Sequence, residues 1–382
     1  MSVSIRLPGE TRTLREPGAW RRPEGTLASR VAFAAAHVVA DPLADNTPGA
    51  PAVIDWEATL AFRRHLWSYG LGVAEAMDTA QRGMGLDWAA TQELIRRSGE
   101  EALATGGRIA AGAGTDQLSS APRSLEEVAA AYEEQIEVVE RSGATVILMA
   151  SRQLAALAQG PDDYHALYGR LLGQVGSPAI LHWLGPMFDP ALAGYWGDSE
   201  IGGATDSFVA LVRDHADRID GVKVSLLDAE HEVALRRALP ESVRVYTGDD
   251  FNYPELIRGD EVSHSDALLG IFAAIAPAAS AALQALDRGD LAAYDTAFAP
   301  TLPLARHVFA APTYHYKAGI AFLAWLAGHQ PGFTMIGGLQ SGRSVGHLIE
   351  AFRLADDAGL LPDPELAVAR MRALLAVAGL EA

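Results

Sequence analysis

The chain of 382 residues is 49% hydrophobic and 20% charged, with no long low-complexity run, which describes a globular protein of one large domain or two ordinary ones. A net charge of −18 argues against a nucleic-acid or anionic-membrane partner, since both are bound through basic surfaces. The absence of cysteine excludes disulfides, thiolate catalysis and thiolate-ligated zinc or iron–sulfur clusters.

Residues 1–30 are rich in Arg, Pro and Gly, carry no apolar leader-like core, and read as an N-terminal extension packed on the main domain. No run reaches transmembrane length, so no membrane partner and a cytoplasmic location are expected. From residue 31 to about 288 a short apolar run alternates with a stretch of helical period. The runs are Val31–Ala40, Gly72–Met77, Arg108–Ala113, Thr145–Ala150, Ala179–Leu184, Val222–Leu227, Val243–Thr247 and Ala267–Phe272. Helix starts fall between them at Asp55, Asp87, Ser124, Pro161, Asp228 and Pro277.

Eight strand-like runs alternating with helices predict an α/β fold, a (β/α)8 TIM barrel over 31–288, with an open doubly wound sheet as the alternative. Residues 289–382 hold only helical patterns, at roughly Leu291–Phe309, His315–Ala327, Val345–Ala358 and Glu365–Ala378, and form a C-terminal helical appendage. The insertion Phe188–Thr205 carries Tyr195 and Trp196, candidates for covering a site or filling a subunit contact. The loop Gly337–Ser344 reads as a turn and helix cap.

Lysine occurs only at Lys223 and Lys317 among the 30 Lys and Arg residues. Arginine serves on a solvated surface as well as lysine does, but only lysine can lose its proton near neutral pH and attack a carbonyl. Lys223 lies early in the apolar run Val222–Leu227, where burial lowers an ammonium pKa and favours a reactive amine. Its structural alternative is a core lysine paired with a carboxylate. Lys317, at the start of a tail helix, reads as structural or anion-binding.

Other residues at run ends are candidates for a barrel mouth. Glu75 sits within the second run, where an acid must be paired or functional. Arg152, after the fourth, offers a guanidinium to a substrate oxyanion, with plain surface arginine as the alternative. Asp249 and Asp250 follow the seventh and suit substrate hydroxyls, Lys223 or a helix cap. His37 and Asp41 end the first.

The segment Asp220–Asp250, DGVKVSLLDAEHEVALRRALPESVRVYTGDD, together with Asp266–Pro277, resembles the dihydrodipicolinate synthase/N-acetylneuraminate lyase superfamily, in a divergent, largely uncharacterised branch. The resemblance implies Lys223 as a Schiff-base nucleophile on strand six, without a cofactor, and a homo-oligomer. In that family strand five carries a proton-shuttling tyrosine; here Pro178–Pro186 puts His182 there, and imidazole can also move protons. The family's Thr-Thr-Gly carboxylate loop appears as Met77-Asp78-Thr79-Ala80-Gln81, in which only Thr79 matches. The arginine after the strand-five tyrosine is missing from Gly185-Pro186-Met187-Phe188. Dihydrodipicolinate synthesis itself is therefore not expected.

The resulting expectation is a class I aldolase or lyase for a 2-oxo acid or keto-sugar-like small molecule. Lys223 and His182 are its catalytic pair, and Thr79, Arg152, Glu75 and Asp249 bind substrate. Two alternatives stand beside it. One is a metal-dependent sugar isomerase or epimerase using Glu75, His182, Asp249 and His37 as ligands. The other is a non-catalytic small-molecule-binding barrel.

Overall fold

Every one of the eight apolar runs forms a strand in the computed structural model, which describes residues 3–118 and 124–381. Two short strands precede them, β1 (Ser4–Leu7) and β2 (Glu10–Thr13), paired antiparallel as a hairpin. The rest are β3 (Ala32–Ala35), β4 (Gly72–Glu75), β5 (Ile109–Ala113), β6 (Thr145–Leu148), β7 (Ala179–Leu184), β8 (Ile219–Ser225), β9 (Arg244–Thr247) and β10 (Asp266–Leu269). These eight close into a barrel in the order β10-β3-β4-β5-β6-β7-β8-β9, each pair parallel. The chain is a (β/α)8 barrel with added helices at its C-terminal end.

Local chemistry sets the helices between strands. Asp55, Asp87 and Asp228 each accept the backbone N–H three residues on, satisfying a donor that the first helical turn leaves free. Ser124 does the same for Glu127. The helix expected to open at Pro277 instead spans Phe272–Asp287, with a local break at Ile275 that accommodates the proline. Phe33, Ile147, Ile180, Tyr246 and Leu268 pack together inside the barrel and make it a filled core rather than a pore.

Beyond the barrel the chain is helical, as its periodicity predicts. The stretch expected as one helix over Leu291–Phe309 is two, Leu291–Phe298 and Thr301–Val308, separated at Ala299-Pro300. Tyr316–Leu326, Val345–Asp357 and Pro364–Val377 follow, the last capped by Asp363. Ser344 caps the helix after the 337–344 loop by accepting from His347 N. The N-terminal hairpin docks on the tail helix Val345–Asp357: Arg12 meets Asp356 at 2.6 Å and Asp357 at 2.7 Å. Among the described residues no helix is long and apolar enough to cross a membrane.

Candidate active site

The mouth of the barrel is organised around β8. This strand begins at Ile219, three residues before the expected Val222, because Asp220-Gly221 is extended rather than a turn. A Cβ on Gly221 would lie 2.6 Å from the Tyr246 ring, so glycine here admits the tyrosine from β9. The Tyr246 hydroxyl donates to Asp220 at 2.6 Å. Lys223 is therefore the fifth of seven strand residues, nearer the functional end than the sequence suggests.

Lys223 is 7% exposed and makes no ion pair among the described residues. Gly248 leaves room for its stem, since a Cβ there would lie 3.1 Å from Lys223 Cε. Burial lowers its pKa, while the charges of Asp78 and Asp250 oppose that shift. Asp250 is sealed in the same place and accepts Ile271 N at 2.9 Å. Burial pushes its carboxyl up to about 8 against the pull of that hydrogen bond and of Lys223. The site thus holds an amine and a carboxyl that both lean toward their neutral forms.

Above Lys223 lies a chamber of about 10 Å³, room for one water-sized group. Asp78 and Thr79 reach it from the turn after β4, where Ala76 adopts a left-handed φ of 52° that redirects the chain toward the mouth. Tyr316 reaches it from the first residue of a tail helix and hydrogen-bonds Thr79 Oγ1 at 2.7 Å. Phe309 stacks on Tyr316 with ring centroids 4.4 Å apart, and Phe188 packs edge-on to both, so three aromatic rings roof the chamber.

Sequence reading missed Tyr316. Its signal lay beside Lys317, in a segment whose tertiary position no local pattern reveals.

His182 pairs in register with Lys223 across β7 and β8 but is fully buried and does not line the chamber. Its Nε2 lies 3.3 Å from Ser225 Oγ, and its Nδ1 has no hydrogen-bond partner among the described residues. Burial, then the neighbouring Lys223 charge, hold its pKa well below the ordinary value, so the ring is neutral. Lys317 is also buried, and burial brings its ammonium down to about 8.

Three expected contacts are not made at the chamber. Glu75 faces away from the mouth, between sheet and helix, where Arg63 grips it with two hydrogen bonds of 2.8 Å and Ser98 adds one of 2.7 Å. Strand alternation explains this, because Ala74 faces the barrel interior and its neighbour must face out. Asp249 turns back on its own loop, accepting from Phe251 N, Asn252 N and Asn252 Nδ2.

Arg152 starts the helix Arg152–Leu157, pairs with Asp189, and borders a second, larger cavity. Tyr195 and Trp196 neither cover the site nor lie on the surface; they are buried against Tyr164, Tyr168 and Phe208.

The metal ligands of the alternative reading do not converge. Glu75 is held by Arg63, Asp249 by its own turn, His182 lies beside Ser225, and His37 Nε2 meets Gln330 Oε1 at 2.7 Å. No trio of His, Asp or Glu side chains among the described residues is arranged to hold a metal ion.

A closed eight-stranded parallel barrel with helices appended at its C-terminal end defines a class by fold: the barrels built like dihydrodipicolinate synthase. Solved structures of that kind superpose over most of the chain. They include YagE, a prophage protein of the dihydrodipicolinic acid synthase family from E. coli K12 in complex with pyruvate. It has a TM-score of 0.68 and 14% identity over 87% of this chain and 99% of that one. Dihydrodipicolinate synthases from Aquifex aeolicus (0.64, 12%, 87% and 99%) and Oceanobacillus iheyensis (0.63, 14%, 85% and 95%) are similar to the same extent.

Within this architecture the chain belongs to the family described as protein of unknown function DUF993, whose model matches residues 6–380. No curated protein matches the chain.

Proposed function

We propose that the protein is a class I lyase or aldolase, in which Lys223 forms a Schiff base with a 2-oxo acid or keto-sugar-like small molecule. The observation that carries this is the environment of Lys223: buried, without an ion-pair partner among the described residues, and facing a chamber at the mouth of the barrel. A lysine with a purely structural role at this depth would be paired with a carboxylate. The fold shared with dihydrodipicolinate synthases supports the same chemistry by analogy.

The neutral amine attacks the substrate carbonyl carbon, and the resulting carbinolamine loses water to give an iminium. The departing hydroxide needs a proton, which the neutral Asp250 carboxyl supplies. The iminium then accepts the electron pair of a bond at the adjacent carbon, so that carbon–carbon cleavage, its reverse, or loss of a β-hydroxyl becomes possible without a further cofactor. Proton movement at that carbon belongs to the Tyr316 hydroxyl, oriented by Thr79, and His182 remains a neutral group beside Lys223. This divides the role first expected of His182 alone.

The test is borohydride treatment with and without candidate oxo compounds. Inactivation that requires the oxo compound supports the reading. Equal loss with borohydride alone, or none with any compound, contradicts it.

A further inference from the structure

Beside the small chamber lies a cavity of about 550 Å³, the size of a small-molecule site, and Asp78 lines both. The charges in its wall are the carboxylates of Asp78, Asp116 and Asp189 and the guanidiniums of Arg82 and Arg152. Arg82 pairs with Asp116 and Arg152 with Asp189, so each guanidinium is answered within the wall. Asp78 is the charge left over. Its carboxylate makes no hydrogen bond or ion pair among the described residues, and Lys223 and Lys317 feel its charge from beyond ion-pair distance. An entering carboxylate or phosphate would find no free cation here and would stand near an unanswered negative charge.

The uncharged part of the wall is built for hydrogen bonding. Thr115 Oγ1 donates to Gln153 Oε1 at 2.8 Å and meets Ser151 Oγ at 2.6 Å. Ser151 Oγ accepts from Leu154 N at 3.0 Å and lies 3.5 Å from the same Gln153 Oε1. Both hydroxyls thus hold the amide oxygen toward themselves. Gln153 is only 9% exposed, and its Nε2 is a donor with no acceptor among the described residues. A buried donor without an acceptor is costly, and the cavity that Gln153 lines is where one can enter. An alcohol answers both needs, because its O–H donates to a carboxylate and its oxygen accepts from an amide.

The chamber around Lys223 has the same character. Beside the amine, its polar lining is Asp78, Thr79, Ser225, Asp250 and Tyr316, carboxyls and hydroxyls with no further cation. We propose that the substrate is an uncharged polyhydroxyl ketone, whose carbonyl meets Lys223 and whose hydroxyl chain lies in the larger cavity, donating to Asp78 and accepting from Gln153 Nε2. This rests on the Lys223 reading for the carbonyl and selects the keto-sugar class over the 2-oxo acids. Asp78, lining both spaces, meets the hydroxyl nearest the carbonyl.

Xylitol and xylarate share a carbon chain and its inner hydroxyls but end on alcohols or on carboxylates. Neither has a carbonyl, so both bind without Schiff-base chemistry. Saturation-transfer NMR on the full chain should show xylitol bound at least ~10-fold more tightly than xylarate. Asp78→Asn should weaken xylitol ~10-fold, the size of a lost hydrogen bond to a charge, and narrow the gap between the two. Gln153→Leu should weaken xylitol about threefold. Borohydride trapping then compares dihydroxyacetone with pyruvate, each rate taken relative to that of a free alkylamine. The Lys223 peptide should be modified at least ~10-fold faster by dihydroxyacetone, and Asp78→Asn should reduce that preference.

Xylarate bound as tightly as xylitol, xylitol not bound at all, or preferential trapping of pyruvate overturns the proposal, and none of these comparisons needs a variant to fold. Xylitol binding that depends on Asp78, with no ketone trapped at Lys223, would instead refute the Schiff-base reading and leave the recognition of a polyhydroxyl chain standing.

Discussion

Thr79, in the turn after the second barrel strand, and Tyr316, at the head of a tail helix, share a 2.7 Å hydrogen bond in the wall of the chamber that Lys223 also lines, although they lie 237 positions apart. The appended helices therefore complete the mouth of the barrel. A hydroxyl pair enclosed with an amine whose pKa burial lowers is suited to move a proton to or from the carbon next to an iminium.

Removing only the hydroxyl separates the two stages of the reaction. Tyr316→Phe keeps the ring stacked on Phe309 and should leave substrate trapping at Lys223 intact. Turnover should fall ~10²–10⁴-fold, the usual contribution of a positioned acid–base group, with little change in KM. Steady-state kinetics beside a trapping assay on the same preparation make the comparison. Loss of trapping together with turnover would show that the hydroxyl acts before the iminium forms.

The pH dependence of trapping follows from the environment of Lys223. Burial lowers its pKa and the charge of Asp78 is the first influence opposing that shift. The rate of trapping should rise with pH as the amine deprotonates, with its inflection below the ordinary lysine value of 10.5. Asp78→Asn removes a charge that favours the ammonium, so its inflection should move to lower pH. A profile of trapping rate against pH for both proteins checks the sign.

Stability should respond to Glu75 as to a buried ion-pair partner. Glu75→Gln leaves the Arg63 guanidinium, fully buried, without its counter-charge and should cost about 3–5 kcal/mol in a denaturant titration. Replacing both partners, Arg63→Met with Glu75→Leu, should recover much of that loss. A Glu75→Gln protein of wild-type stability but without activity would restore Glu75 to the site.

Glu232 gives a second stability signature, outside the site. Burial pushes its carboxyl up to about 8, against the hydroxyls of Thr247 and Ser265, which donate to it. A raised folded pKa means that the folded state binds more protons than the unfolded one between the ordinary 4.5 and about 8. This contribution to stability is fully present below that window and is lost as pH rises through about 8. Glu232→Gln should flatten the decline without abolishing it, because Asp250 is shifted in the same direction. Thermal unfolding at several pH values between 5 and 8 reads the difference in slope.

The barrel was legible because its signals are local. Asp55, Asp87, Ser124 and Asp228 cap helices through contacts three residues away, and each strand is a short apolar run. Lys223 stood out for a similar reason, as a charge within such a run. The strand starts earlier than its apolar run because Gly221 serves the close approach of Tyr246. Glu75 misled because hydrophobicity in a strand buried on both faces does not say which residues point inward. Tyr316 was hidden by distance, since nothing in a tail helix announces that its first residue enters the barrel mouth.

The central claim is a covalent bond at one nitrogen, and peptide mass spectrometry after borohydride reduction reads it directly. With a panel of 2-oxo acids and keto sugars, including ones bearing a second carboxylate or a phosphate, the peptide containing Lys223 should gain the reduced carbon skeleton of at least one compound. The same peptide from Lys223→Met should gain nothing. An unmodified Lys223 across the whole panel, in a protein whose turnover of one of those compounds is established and depends on another residue, would contradict the account.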